Sequence, residues 1–243
     1  MGTVCLGLVA HHRERMITWT YRDAWVAVFD ILGFRRMAKQ ADAEFPRALL
    51  TSKLDDLLSG LDGSLAVKHG RLEYLVLSDT IVLFAPSPEP QAYSWLLEAC
   101  KAVAARSIYV RLPLRGAISI GATYISQKPL VLVGPAFVDA YEFCEDQNWI
   151  GLLLTPSASH ALKDIPLDPQ RHDFVTGDIP LRNKPSKGVY AYRFQNGQNN
   201  FDSPLFPALR DMQQQAPEDA KDKYKRTIAF VKNHYRRSDK AFL

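Results

Sequence analysis

The stretch AVFDILGFRRM, residues 27–37, decides the fold. Its first residues belong to the apolar run AWVAVF (24–29), which ends at Asp30. A short continuous apolar run bounded by turn residues reads as a buried strand. Gly33 then supplies a turn, and 34–40 reads as a helix. The complement lies downstream in LEYLVLSDTIVLF (72–84). Two β-like runs, 72–77 and 80–84, flank Ser78-Asp79, a two-residue connection that predicts a hairpin. If the hairpin lies beside the first strand, Asp30 and Asp79 come together at one end of a sheet.

The rest of the chain is read outward from this pair. Residues 45–61 carry Leu49, Leu50, Leu54, Leu57, Leu58 and Leu61 at helical spacing, stopped by Asp62-Gly63. Pro86, Pro88 and Pro90 form a loop, and 91–107 reads as a helix with Trp95, Leu96, Ala99 and Val103 on one face. LRGAISIGATYI (114–125) alternates as a strand, and 130–133 is a second strand joined to it by a turn. Gly134-Pro135 opens a helix to about residue 146, since Pro suits the first helical turn. A strand (151–155), a short helix (156–162), a polar irregular stretch (163–186) and a last strand (189–194) follow. QNGQNNFDS (195–203) reads as a linker, and 204–215 and 217–235 as helices. The heart of this order is β-α-β-β-α-β, the ferredoxin-like arrangement. The expected fold class is α+β, an antiparallel sheet with helices on one face plus a C-terminal helical tail. Three parts are expected: an N-terminal arm (1–23), a core domain (24–194), and a linker with a basic tail (195–243).

Composition excludes whole classes. Of 243 residues, 47% are hydrophobic and 23% charged, the balance of a globular protein rather than a disordered one. The 13 glycines and 15 prolines have no period, which excludes a collagen-like chain. Cys5, Cys100 and Cys144 are too few for a disulfide framework and contain no C-x-x-C, so a reducing, cytoplasmic setting is expected. No apolar run approaches the roughly 20 residues of a membrane helix, so no membrane partner is expected. The net charge is +4, too small for a dedicated nucleic-acid binder, and no nucleic-acid partner is expected. Residues 217–243 hold eight basic and four acidic residues, so the tail carries the whole excess.

Two aspartates and a backbone carbonyl, completed by phosphate oxygens, form a hard-oxygen set suited to Mg²⁺ or Mn²⁺. The amides of Leu32, Gly33 and Phe34 lie at a helix start, where phosphate is attracted. His11-His12, His69, His160, His172 and His234 show no metal spacing. No G-x-S-x-G elbow supports a serine nucleophile.

AVFDILGFRRM (27–37) resembles the F-x-D-I-x-G-F signature of class III nucleotidyl cyclase catalytic domains, with Val28 for the first Phe. LEYLVLSDTIVLF resembles the hairpin that carries that family's second metal aspartate, and the two aspartates stand 49 residues apart, similar to the family spacing. LRGAISIGATYI, GPAFVDAYEFCED (134–146) and NKPSKGVYAYRF (183–194) resemble its next strand, its late helix and its last strand with a phosphate lysine. The resemblance covers about 24–194. It implies that the ribose 3′-hydroxyl of a nucleoside triphosphate attacks its own α-phosphate, releasing a 3′,5′-cyclic nucleotide and pyrophosphate. It implies two Mn²⁺ (or Mg²⁺) ions on Asp30, the Ile31 carbonyl and Asp79. It implies triphosphate contacts from the Leu32, Gly33 and Phe34 amides and from Lys184. It also implies a homodimer whose active sites form between subunits.

The departures from the family narrow the reading. Purine cyclases read the base with polar residues at two positions that here fall at Leu75, beside Tyr74, and near Val131; both are apolar. A purine edge left unpaired there loses about 1–3 kcal/mol per group. The late helix lacks the family's asparagine and arginine, so either another cation (Arg115, Arg35 or Arg36) supplies the positive charge or the enzyme is slow or inactive. FDILGF, SDT, RGAIS-x-G and GPA-x-x-x-AYE together are most similar to the pyrimidine cyclases of bacterial Pycsar antiphage defence. That likeness implies cyclic UMP, ahead of cyclic CMP, and a separate cyclic-nucleotide-gated effector that reads it. Tyr141, Glu142 and Arg115 are the candidates near base or ribose. A purine cyclase and an inactive nucleotide sensor of the same fold remain the alternatives.

Overall fold

The structure is a computed structural model and describes residues 19–40, 44–62, 67, 69–127, 130–163, 174–194 and 205–234. The arm before residue 19, the expected linker and the last nine residues lie outside these. In chain order the elements are β1 (Thr20–Ile31), α1 (Phe34–Gln40), α2 (Glu44–Asp62), β2 (Glu73–Leu77), β3 (Thr80–Ala85) and α3 (Pro90–Tyr109). They continue as β4 (Leu114–Gln127), β5 (Leu130–Val133), α4 (Pro135–Asp146), β6 (Gly151–Leu154) and α5 (Pro156–Ala161). The chain closes with β7 (Phe174–Val175), β8 (Tyr190–Tyr192), α6 (Leu205–Gln215) and α7 (Lys221–His234), the last preceded by a 3₁₀ turn (Glu218–Ala220).

One sheet runs β2-β3-β1-β4-β6-β8-β7, with β5 on the far end of β4. The first four strands pair antiparallel in the order 2-3-1-4, the ferredoxin-like arrangement. The sheet as a whole is not antiparallel, however. β4 and β6 run parallel, because α4 crosses over between them. The short strand β7 lies within the stretch read as irregular.

The helices also do not share one face. Residues paired across an antiparallel ladder point to the same side. Trp25, Ala27 and Phe29 pair with Ile120, Ile118 and Gly116, and the Trp25 ring meets Tyr93 of α3 at 4.7 Å. Val26, Val28 and Asp30 point the other way with Ser119, Ala117 and Arg115. There the Ser119 hydroxyl donates to Asp139 of α4 at 2.7 Å. α3 therefore covers one face and α4 the other, which is why 24–29 is buried without a polar break.

The C-terminal helices join the same core. Phe230 of α7 packs edge-on against Trp149, and Ala208, Leu209, Met212, Tyr224 and Val231 are buried. The Thr227 hydroxyl accepts the Ile150 N–H at 2.8 Å and faces the Ile150 and Lys223 carbonyls. Thr227→Val keeps the shape but leaves that buried N–H without an acceptor. The expected loss is about 2 kcal/mol, a fall of about 4–8 °C in a thermal melt; an unchanged melt would contradict the anchoring role.

Candidate active site

The β1 end and the β2–β3 turn meet through one backbone bond. Ser78 holds a left-handed φ of +59°, as tight hairpin turns demand, and the Asp79 carbonyl accepts the Ile31 N–H at 3.0 Å. This bond sets the Asp79 turn against Asp30. Asp30 also stands opposite Arg115 in the β1–β4 ladder. Arg115 Nε donates to Asp30 Oδ2 at 2.7 Å, Nη2 meets Glu145 Oε1 at 2.9 Å, and Nη1 donates to the Glu145 carbonyl at 2.5 Å. A buried guanidinium thus links the β1 carboxylate to the end of α4.

Burial is the largest influence on Asp30 and pushes its carboxyl above the usual range. Asp79 and Glu145 add to the rise, and Arg115 opposes it. Such a site favours an added cation. Among the described residues, no cluster of three or more His, Cys, Asp or Glu side chains is arranged to hold a metal. Asp30, Asp79 and the Ile31 carbonyl are nonetheless an all-oxygen set. Oδ1 of Asp30 accepts no hydrogen bond among the described residues. That donor set fits Mg²⁺ or Mn²⁺, hard cations that take oxygen ligands.

Around this centre the expected residues divide. The Leu32 N–H donates to the Pro113 carbonyl at 2.9 Å, so that amide is already used. Gly33, at φ +80°, and Phe34 keep amides with no protein acceptor among the described residues. Tyr141 is 40% exposed on α4, one turn before Glu145, and its ring stacks on Phe137. The Glu145 charge, then burial and the Asp30 charge, raise its hydroxyl pKa. Lys184 Nζ meets Glu142 Oε2 at 2.8 Å and lies 4.6 Å above the Phe143 ring.

Leu75 pairs with Val82, the partner of Val28, and so shares the face of Asp30. Tyr74 pairs with Leu83, the partner of Ala27, and faces α3 instead; the period of two separates it from Asp30. Val131 pairs with Ser126, eleven residues along β4 from Arg115, or about 35 Å of strand. One chain therefore does not bring Val131 to its own Asp30.

Two contributors were not foreseen. Glu145 and Asp146 end α4 in an acidic pair that reads as a solvated helix end, yet Glu145 binds Arg115. Lys223, in the first turn of α7, also stands near the site. Burial, then the Arg115 and Arg182 charges, lower its pKa, and the Asp30 charge opposes them. No helix among the described residues is long and apolar enough to cross a membrane.

No protein-family model matches the chain, and no curated protein matches it in sequence. Solved structures do. The catalytic core of a rhodopsin-guanylyl cyclase with converted specificity, in complex with ATPαS, matches at 15% identity and TM-score 0.54, covering 72% of this chain and 97% of its own. The guanylyl cyclase domain of a RhoGC fusion protein from the aquatic fungus Blastocladiella emersonii, in a monomeric double mutant, gives 16% identity and TM-score 0.49, with 65% and 88% covered. A bacterial light-regulated adenylyl cyclase gives 10% and 0.46, with 79% and 99% covered. The first of these likenesses establishes that the chain has the class III nucleotidyl cyclase fold.

Proposed function

We propose that this protein is a pyrimidine nucleotide cyclase. It converts UTP, or CTP, to the 3′,5′-cyclic monophosphate and pyrophosphate, as a second-messenger synthase in antiphage defence whose product a cyclic-nucleotide-gated effector reads. The observation that carries the reading is the junction of Asp30 and Asp79 through the Ile31–Asp79 backbone bond, with Arg115 on Asp30. The residues Asp30, Asp79 and Ile31 would hold one or two Mn²⁺ or Mg²⁺ ions. A bound divalent ion lowers the pKa of the attacking hydroxyl and offsets phosphate charge. The O3′–Pα bond forms as the bond from Pα to the leaving pyrophosphate breaks, and the hydroxyl proton passes to solvent. The Gly33 and Phe34 amides and Lys184 bind the phosphates. Arg115 supplies the positive charge that α4, without Asn or Arg, does not. The pyrimidine preference rests on apolar Leu75 on the Asp30 face, which offers a purine edge no partner.

In this reading the protein is a homodimer, in which Val131, about 35 Å of strand from Asp30 within one chain, would face the Asp30 of the second copy. Leu77 (72% exposed), Leu130, Val133, Val138 and Tyr141 are exposed apolar residues on the hairpin tip, β5 and α4, and suit such an interface. The function is tested by incubating the protein with UTP and Mn²⁺. Cyclic UMP and pyrophosphate in equal amounts are expected, EDTA should stop their formation, and no product from either UTP or CTP would refute the reading.

In this arrangement Arg115 and a metal ion compete for Asp30. Arg115→Ala should therefore bind Mn²⁺ more tightly without nucleotide, seen by calorimetry, while turnover falls about 10²-fold or more. Weaker Mn²⁺ binding would contradict the competition. The closed Asp30–Arg115–Glu145 chain also favours a second reading, a non-catalytic nucleotide sensor. Nucleotide binding without cyclic product is its signature.

A further inference from the structure

Asp146, the last residue of α4, is buried at 7% exposure, although aspartate is seldom buried without partners. Its partners are not a cation but a run of backbone amides. Its carboxylate accepts from the N–H groups of Arg182 (3.2 Å), Asn183 (2.9 and 3.1 Å) and Lys184 (2.8 Å), and from the Asn183 side-chain amide (3.2 Å). Three successive N–H groups converging on one anion form a nest, a geometry that binds phosphate elsewhere and is filled here from within the chain. Flanking bonds close the clamp: Arg182 N–H to the Asp146 carbonyl at 3.0 Å, and Asn148 N–H to the Pro180 carbonyl at 2.8 Å. A surface loop is otherwise a poor support for a binding residue, because fixing it carries an entropic cost.

We infer that Asp146 is a positioning residue that holds the 182–184 loop so that Lys184 presents its ammonium to the triphosphate. With its neighbour Glu145 on Arg115, one helix end then holds both cations that the proposed function gives to the phosphates. The inference rests on the proposed function, since it gives Lys184 a phosphate to meet. Asp146 itself touches neither substrate nor metal; its effect passes through Lys184.

The test is a double-mutant cycle with Asp146→Asn and Lys184→Met. Asn at 146 is isosteric but turns an amide donor toward the loop's N–H groups. Asp146→Asn should raise KM for UTP about 10-fold, the usual size of an outer-layer effect, with kcat within about threefold. In the Lys184→Met background the same substitution should raise KM less than about twofold. Amide hydrogen exchange at 183 and 184 should quicken in Asp146→Asn under conditions where the rest of the chain exchanges as before. An equal KM effect in both backgrounds, or unchanged exchange at 183 and 184, would overturn the inference while leaving the cyclase reading intact. A wild-type protein that turns over no nucleoside triphosphate would overturn both.

Discussion

Asp30→Ala removes turnover: kcat should fall at least about 10³-fold, about 4 kcal/mol of barrier, while the protein stays folded. The size follows from position. Among the described residues Asp30 is the one carboxylate that shares both the Asp79 turn and the Arg115 guanidinium, so no described neighbour can replace it. The fold should survive because Arg115 keeps Glu145 as a partner through its side chain and its carbonyl. Losing one charged hydrogen bond is worth about 2 kcal/mol, a fall of about 4–8 °C in melting temperature. Activity that persists in a folded Asp30→Ala protein would refute the metal assignment. The same residue sets a pH dependence. Its pKa is raised, chiefly by burial, and only the ionised carboxylate binds a cation. Mn²⁺ affinity should therefore be lost as pH falls, with a midpoint above that of an ordinary aspartate. A midpoint at or below the ordinary value would contradict the burial argument.

Gly134→Ala is the second large effect, and it acts through the backbone. Gly134 stands at φ +146° directly before α4, a conformation that side chains rarely adopt. A Cβ there would lie 2.4 Å from the Ala122 carbonyl oxygen and 2.9 Å from Thr123 Cα. Both neighbours are backbone of β4, so neither can swing aside. The expected loss is about 3 kcal/mol from strain and overlap together, or about 6–12 °C in melting temperature. Relief of the clash must move α4, which carries Tyr141, Glu142, Glu145 and Asp146. Turnover should consequently fall even at temperatures where the variant is folded. A melt within about 1 °C of wild type would show that β4 yields more easily than its packing suggests.

The junction of Asp30 with the Asp79 turn was legible because it is local. FDILG and SDT each combine a strand end, a turn and a carboxylate within a few residues, and strand pairing then needs only one register. The helical layers were half legible. A 24–29 run with no polar break already signals cover on both faces, and the ββα order does not by itself say which face α4 takes. Tyr74 and Leu75 are a case of period: counting in twos from Leu77, which pairs with Thr80, the partner of Asp30, puts Leu75, not Tyr74, on the side of Asp30. Glu145, Asp146 and Lys223 were not legible. The partners of Glu145 and Asp146 stand 30 and 36–38 residues away and the Arg182, Arg115 and Asp30 charges that act on Lys223 stand 41 to 193 away, and an acidic helix end or a tail lysine has the same composition when it merely faces water.

The proposed function joins a choice of base to a reaction. The direct measurement is one competition: wild-type protein with equal concentrations of ATP, GTP, CTP and UTP and with Mn²⁺, the products separated by liquid chromatography and identified by mass against 3′,5′-cyclic standards. Cyclic UMP, or cyclic CMP, is expected as the main product, matched one to one by pyrophosphate. A purine cyclic nucleotide as the main product, or no cyclic nucleotide from folded protein, would contradict it.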